Sequence, residues 1–456
     1  MRSYLLLLAA LCLNGVAAKA KCKHINPGKP AASSSSSSSV ISAPSVTSTL
    51  SVTSVSSVIS TSSTLSPTLT KSTSAKTTSV KSTSSVSSAP PLPTQDKAKA
   101  STYQKHAEAA LDRLQQWYNR DTGLWKSYDP SWWQSANALT TLIDMAEAGS
   151  PKAKKLADTV VPNTFRAAGA FNVREGHRLR RKADTVNPFS NSFYDDMGWW
   201  AMTWIKAYDV TKNKAYLATA EALFADMTTG YGTNCSAEGM WWDKKHSHID
   251  PISDTLFIEV AAWLANRSAA TEKKKSFYTN WAVRAWDGFR QGPMYVSGEQ
   301  HYVTAGVSIQ TCRLPKKAHG YTYSNGALVS GLTALAAATG KREYLREAHA
   351  VAHTIIKIMA KNGVLREPNI NQAKPGQSAP QWKGVFMRGL AHLHAAEPKP
   401  EYRQFAQQCA DSIWDKNRQG AAELGPDWLG PFHGPANASP QSSAMDGIVA
   451  AWKMTK

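Results

Sequence analysis

Phe193-Tyr194-Asp195-Asp196-Met197-Gly198-Trp199-Trp200 opens a helix that runs through Tyr208, turns at Asp209–Asn213 and leads into a second helix carrying Tyr216-Leu217. Tyr323-Ser324-Asn325 begins a segment of nearly the same spacing, with a helix to Thr339, a turn at Gly340 and a second helix carrying Tyr344-Leu345. The first helix of each unit is small and apolar on all sides, as in Ala327 to Ala336. The second is charged along one face, as in Lys341-Arg342-Glu343 and Arg346-Glu347. A helix apolar all round is buried, and an amphipathic one lies outside it. Each unit therefore reads as an inner helix, a tight turn and an outer helix, repeating at about 50–65 residues, which implies an array or a closed ring.

Working outward, the apolar period of a helix marks His106–Tyr118, Ser135–Ala148, Lys154–Ala167, the octet helix, Lys214–Met227, Ser253–Asn266 and Glu272–Phe289. It then marks Asn325–Thr339, Arg342–Lys361, Trp382–Ala395, Tyr402–Trp414 and Ser442–Trp452, for twelve helices in all. The long variable loops all precede an inner helix, which gathers them at one mouth. The expected fold is all-α, an (α/α)6 barrel of six inner and six outer helices. An open solenoid would show shorter, more regular repeats and polar caps at both ends.

The octet also carries chemistry. Residues four apart share a helix face, so Trp199 lies over Asp195 and Trp200 over Asp196. Glycosidic-bond cleavage uses two carboxyl groups, and flat aromatic faces suit sugar rings. The alternative is an acidic first turn that complements the helix dipole, with Trp as core filler. Tandem Trp pairs at corresponding positions, Trp132/Trp133, Trp199/Trp200 and Trp241/Trp242, favour the cleft, because an indole N–H seeks a partner and loop ends can supply one. Asp195 and Asp196 are the candidate catalytic residues. The candidate sugar-binding residues are these six tryptophans with Asn137, Tyr194, Asp243, Tyr323 and Asn325. His246 and His248 lack the third ligand of a catalytic zinc site, and no phosphate loop or nucleophile elbow occurs, so no metal or cofactor is expected.

The flanks set the compartment. Met1-Arg2 and an apolar run from Tyr4 to Ala18 read as a signal peptide over residues 1–20. Residues 21–98 read as a disordered, O-glycosylated Ser/Thr stalk, too poor in apolar mass to offset ordering entropy. The barrel then occupies 99–456. No hydrophobic tail of a lipid-anchor signal closes the chain. The expectation is a secreted monomer, extracellular or wall-associated, without a transmembrane segment. Mature Cys22, Cys235, Cys312 and Cys409 allow three full pairings. Cys235–Cys312 is preferred because both flank segments placed at the mouth. Asn234, Asn266 and Asn437 begin N-glycosylation sequons. The formal charge is +19, of which residues 1–100 carry +9 (ten Lys/Arg, one acid) and the remainder +10. Secretion argues against a nucleic-acid partner; the basic charge suits an anionic polymer or wall phosphate, and equally a generally soluble basic surface.

Several blocks, in order, carry a resemblance. They are Leu114-Gln115-Gln116-Trp117-Tyr118 with Thr122-Gly123-Leu124-Trp125; Ser135-Ala136-Asn137-Ala138-Leu139-Thr140; Tyr194-Asp195-Asp196 with Trp199-Trp200; and Gly239-Met240-Trp241-Trp242-Asp243. Thr322-Tyr323-Ser324-Asn325-Gly326, Gly363-Val364-Leu365-Arg366-Glu367, Lys383-Gly384-Val385-Phe386-Met387-Arg388 and Gln441-Ser442-Ser443-Ala444 complete the set. Over residues 102–453 the chain resembles glycoside hydrolase family 76, the endo-α-1,6-mannanases, in a secreted fungal-type form. The resemblance implies an (α/α)6 barrel and retaining cleavage of α-1,6-mannan, with Asp195 as nucleophile, Asp196 as acid/base and a mannose-containing wall polysaccharide as partner. It also implies two alternatives, a wall transglycosidase acting on lipid-anchor glycans and a silent mannan-binding protein. The chain departs from the family pattern at Asp254, where Asn is common, at Ser324-Asn325, and in lacking cysteines after Arg366-Glu367.

Overall fold

The computed structural model describes residues 93–128, 131–174, 187–267, 272–368, 370–372, 375–434 and 436–456. The segment read as a signal peptide, Cys22 and the stalk segment as far as residue 92 lie outside the described residues. Twelve α-helices form among the described residues: α1 (Pro93–Gln115), α2 (Trp132–Glu147), α3 (Pro151–Arg174), α4 (Tyr194–Thr211), α5 (Lys214–Met227) and α6 (Pro251–Arg267), followed by α7 (Glu272–Phe289), α8 (Thr322–Thr339), α9 (Arg342–Met359), α10 (Trp382–Ala396), α11 (Pro400–Lys416) and α12 (Ala438–Thr455).

The even-numbered helices are the apolar ones, and each packs against the next: α2 on α4, α4 on α6, α6 on α8, α8 on α10, α10 on α12, and α12 back on α2. That last contact closes the ring. The odd-numbered helices lie outside, with α3 on α2, α5 on α4, α7 on α6 and α9 on α8, while α1 and α11 both flank α12. The fold is an (α/α)6 barrel. Small residues permit close inner packing: a Cβ on Gly326 of α8 would run into the backbone of Phe386 on α10.

Local signals set the ends. Asn213 caps α5 by accepting from Ala215 N at 3.0 Å, as short polar side chains do at N-caps. Gly340, at φ 73°, ends α8 in the left-handed conformation a C-terminal glycine supplies. The helix expected from His106 begins instead at Pro93, inside the segment assigned to the stalk. Its polar first turns are held by partners rather than by periodicity: Asp96 pairs with Arg403 at 3.2 Å. Four two-residue hairpins follow outer helices α1, α7, α9 and α11 and precede inner ones, so they gather at one mouth.

Candidate active site

The mouth is built where the loops before α4, α6 and α8 meet. Phe193 bridges to Asp243 in an antiparallel pair, and Tyr194 N donates to Trp242 O at 2.9 Å. These bonds clamp the start of α4 against the Trp241-Trp242 loop. The Phe193 N-cap has no side-chain cap, so first-turn carboxylates meet the exposed N–H groups there. Asp196 N donates to Asp195 Oδ1 at 3.0 Å. Trp242 Nε1 donates to Asp195 Oδ2 at 3.0 Å. Asn191 Nδ2 donates to Asp196 Oδ2 at 2.6 Å, and the Asn191 carbonyl is fixed by Phe193 N at 2.9 Å.

Burial is the largest force on both carboxyls. It pushes Asp196 up from its ordinary 3.8 to about 7 against the opposing Asn191 bond. Burial, and then the charge of Asp196, raise Asp195 well above the carboxylate range, opposed by Trp242. Two close carboxyls in one wall cannot both ionise cheaply, so the pair holds a proton near neutrality. Two N–H donors face Asp195 and one faces Asp196, and hydrogen bonds to the charged form favour it. Even so, Asp195 is pushed up by its neighbour's charge as well as by burial, whereas Asp196 is pushed up by burial alone.

A third carboxyl stands nearby. Asp250 caps α6 through Ile252 N at 3.1 Å, accepts from the Tyr323 hydroxyl and lies 3.9 Å from His248 Nε2. Its charge reaches Asp195. Tyr323 stacks on Trp382 with centroids 4.7 Å apart, and Tyr321 lies 4.8 Å from the same indole. On the other side of the ring, Trp133 stacks on Trp199 at 6.0 Å.

Among the Trp pairs, one member of each turns inward. Trp132 and Trp200 pack together at 4.9 Å within the core. Trp241 is buried, gives its N–H to Gly232 O at 3.1 Å and lies under His246. This corrects the expectation that all six line the mouth: Trp132 and Trp200 are drawn into aromatic packing around Phe189, and Trp241 into a bond with the Gly232 carbonyl. Other candidates are already engaged. Asn325 spends its amide on Val303 N, Val303 O and Tyr321 O. Both Asp243 oxygens hold Ser247, and the buried Tyr194 bonds Thr229 at 3.2 Å. Asn137 bonds Trp133 O and Arg388 and lines, with Trp199, a cavity of about 370 Å³ on the barrel axis. Trp242 and Tyr323 remain beside the acid pair, and Trp133 stacks on the buried Trp199 one turn further along α4.

Asn191, Asp250 and Trp382 complete the site without having been singled out from the sequence. Asp250-Pro251 was readable as a helix start; Asn191, on an irregular loop, carried no periodic signal. Cys235 and Cys312 form a disulfide with Cα atoms 5.2 Å apart, while Cys409 is free and buried. Asn234 is exposed, and Asn437 caps α12. Asn266 is not suited to carry a glycan: its Nδ2 donates to Ala262 O and Ala334 O, both at 2.8 Å, leaving no N–H to replace. Among the described residues no group of three or more His, Cys, Asp or Glu could hold a metal ion, and no helix is long and apolar enough to cross a membrane.

Comparison with known proteins follows the same lines. A curated relative, mannan endo-1,6-alpha-mannosidase DCW1 of Candida glabrata, is 24% identical over 233 residues, which cover 48% of this chain and 50% of that protein. The match thus spans about half the length of the curated relative. Among solved structures, an inactive variant of the α-1,6-mannanase of Salegentibacter sp. HEL1_6, with two consecutive aspartates replaced by asparagine and in complex with α-1,6-mannotriose, superposes with TM-score 0.62 at 18% identity. It covers 77% of this chain and 99% of that one. Dfg5 from Chaetomium thermophilum, in complex with glucosamine, gives TM-score 0.64 at 16% identity over 78% of this chain and 90% of that one. At these identities the structural likeness speaks for the fold. The family model for glycosyl hydrolase family 76 matches residues 102–455, more than half of the chain, and the protein belongs to that family.

Proposed function

We propose that the protein is a secreted retaining glycosidase that cleaves internal α-1,6-mannosidic bonds of mannan. The observation that carries this is the adjacent pair Asp195 and Asp196 at the start of α4, both raised by burial and each held by its own donors. Retaining cleavage needs carboxyls about 5–5.5 Å apart, and neighbouring Cα atoms about 3.8 Å apart suit that spacing. Asp195 attacks the anomeric carbon while Asp196 gives its proton to the departing glycosidic oxygen. Water then displaces Asp195 as Asp196 takes the water's proton back. Aromatic rings on opposite sides of the ring of inner helices, Trp133/Trp199 and Tyr323/Trp382, support sugars on both sides of the broken bond, as internal cleavage requires. The inactive relative with two consecutive aspartates replaced, bound to α-1,6-mannotriose, supports the same pair and the same linkage.

The test is product release from linear α-1,6-mannan by the wild-type protein and the variants Asp195→Asn and Asp196→Asn. Manno-oligosaccharides from the wild type alone support the reading; no product from the wild type, or near-wild-type release by both variants, overturns it. The likeness to Dfg5 favours a second outcome on the same site, capture of the glycosyl intermediate by a glycan acceptor instead of water. Adding an acceptor oligosaccharide and looking for longer products separates the two.

A further inference from the structure

One rim of the mouth has a charge pattern that the cleavage chemistry leaves unused. Residues 244–249, Lys-Lys-His-Ser-His-Ile, and residues 305–320, Ala-Gly-Val-Ser-Ile-Gln-Thr-Cys-Arg-Leu-Pro-Lys-Lys-Ala-His-Gly, contain no Asp or Glu. The fold brings them together. Ile249 pairs with Val307 across an antiparallel bridge, the Ser308–Arg313 turn is closed by a 3.0 Å bond, and the Cys235–Cys312 disulfide pins that turn to the preceding loop. Asp250 follows Ile249 directly, so this rim stands beside the acid pair.

Of its cations, Lys244 is spoken for, at 2.7 Å from Asp226. Lys245, Arg313, Lys316 and Lys317 are exposed, and none of the ion pairs among the described residues includes them. The carboxyls that flank the 244–249 loop are already engaged: Asp243 is buried on Ser247, and Asp250 is held by Ile252, Tyr323 and His248. A surface that merely keeps a protein soluble mixes both signs. Here four exposed cations sit on two loops joined by the Ile249–Val307 bridge, one of them pinned at Cys312 and the other leading directly into Asp250. A neutral mannan gives such a rim nothing to bind.

We propose that this rim is an anion subsite that selects mannan chains bearing phosphodiester groups, with the neutral sugars lying over the acid pair and a phosphate against Arg313, Lys316, Lys317 and Lys245. Arg supplies a planar fork for phosphate oxygens and Lys supplies point charges. Because the groups are exposed, the interaction is screened by salt. The proposal rests on the mannan-cleaving reading for its substrate but not for its binding.

The experiment uses two arms on the full chain. In the first, wild type and the triple variant Arg313→Gln/Lys316→Gln/Lys317→Gln are assayed on phosphorylated mannan and on the same mannan after phosphate removal. At low salt the wild type is expected to prefer the phosphorylated chain by roughly tenfold in KM, from a few exposed charge contacts. The triple variant is expected to lose that preference while keeping wild-type turnover of the dephosphorylated chain, and high salt should abolish the preference in the wild type. In the second arm, Asp195→Asn/Asp196→Asn protein is tested for retention on immobilised phosphorylated mannan and on anionic phospholipid vesicles. Salt-sensitive retention on the mannan, but not on the vesicles, supports the subsite even if no mannan is cleaved. Equal wild-type handling of both mannans with no retention, or a preference that survives in the triple variant, overturns it. Equal or stronger retention on vesicles also overturns it, assigning the rim to a lipid surface instead.

Discussion

Replacing Asp196 by Asn should make the protein more stable while removing its activity, and the size of the gain can be worked out. Burial raises the Asp196 carboxyl from 3.8 to about 7. A carboxyl whose folded value lies above its unfolded one holds its proton longer when folded. Its ionisation therefore costs stability progressively as pH rises from about 3.8 to about 7, and the full cost remains above that. Roughly three units at about 1.4 kcal/mol each give an upper figure of about 4 kcal/mol near pH 8 and almost nothing near pH 4. Asparagine removes the ionisation while keeping the shape. For a domain of this length the unfolding entropy is roughly 0.8 kcal/mol per kelvin, so the variant's Tm should exceed wild type by about 5 °C near pH 8 and match it near pH 4. Calorimetry across that range checks both ends. A variant no more stable than wild type near pH 8, or equally stabilised near pH 4, would refute the buried, proton-holding Asp196.

Trp242→Phe keeps the ring but loses the 3.0 Å bond to Asp195; activity should fall at least tenfold, with the acidic limb of the pH–activity profile moving up, because the charged form of Asp195 has lost a donor. Asp254 is buried, which raises its carboxyl well above its ordinary value and makes its ionisation costly, and it is bonded to Met240 N through one oxygen. Asp254→Asn should therefore keep activity and raise Tm at neutral pH relative to acidic pH. Replacing Cys235 and Cys312 by Ser opens a loop of 77 residues and should cost about 2–4 kcal/mol in denaturant unfolding. Peptide mass spectrometry should find Asn266 unmodified, since its amide bridges α6 and α8.

The helices were legible because each buries a face at a 3.6-residue period, and the inner set was legible because Ala, Gly and Ser replace charge there. Pro93 to Ser101 lacks that period, so the start of α1 was placed too late; contacts such as Asp96 with Arg403 decide it. The acid pair could be read from its position at the start of an inner helix. Which tryptophan of each pair faces the mouth could not, because that depends on how α2 and α4 are rotated against each other. Asn325 and Asp243 looked like sugar-binding groups by residue type, yet the folded loops use their polar atoms. Asn191 and Asp250 meet the acid pair only through loop geometry, which sequence spacing does not encode.

The most direct test of the central reading is to incubate linear α-1,6-mannan with wild type, Asp195→Asn and Asp196→Asn at equal folded concentration and follow released manno-oligosaccharides. The account predicts internal cleavage products from wild type and a loss of at least a thousandfold, roughly, in both variants. Near-wild-type release from both variants would contradict it.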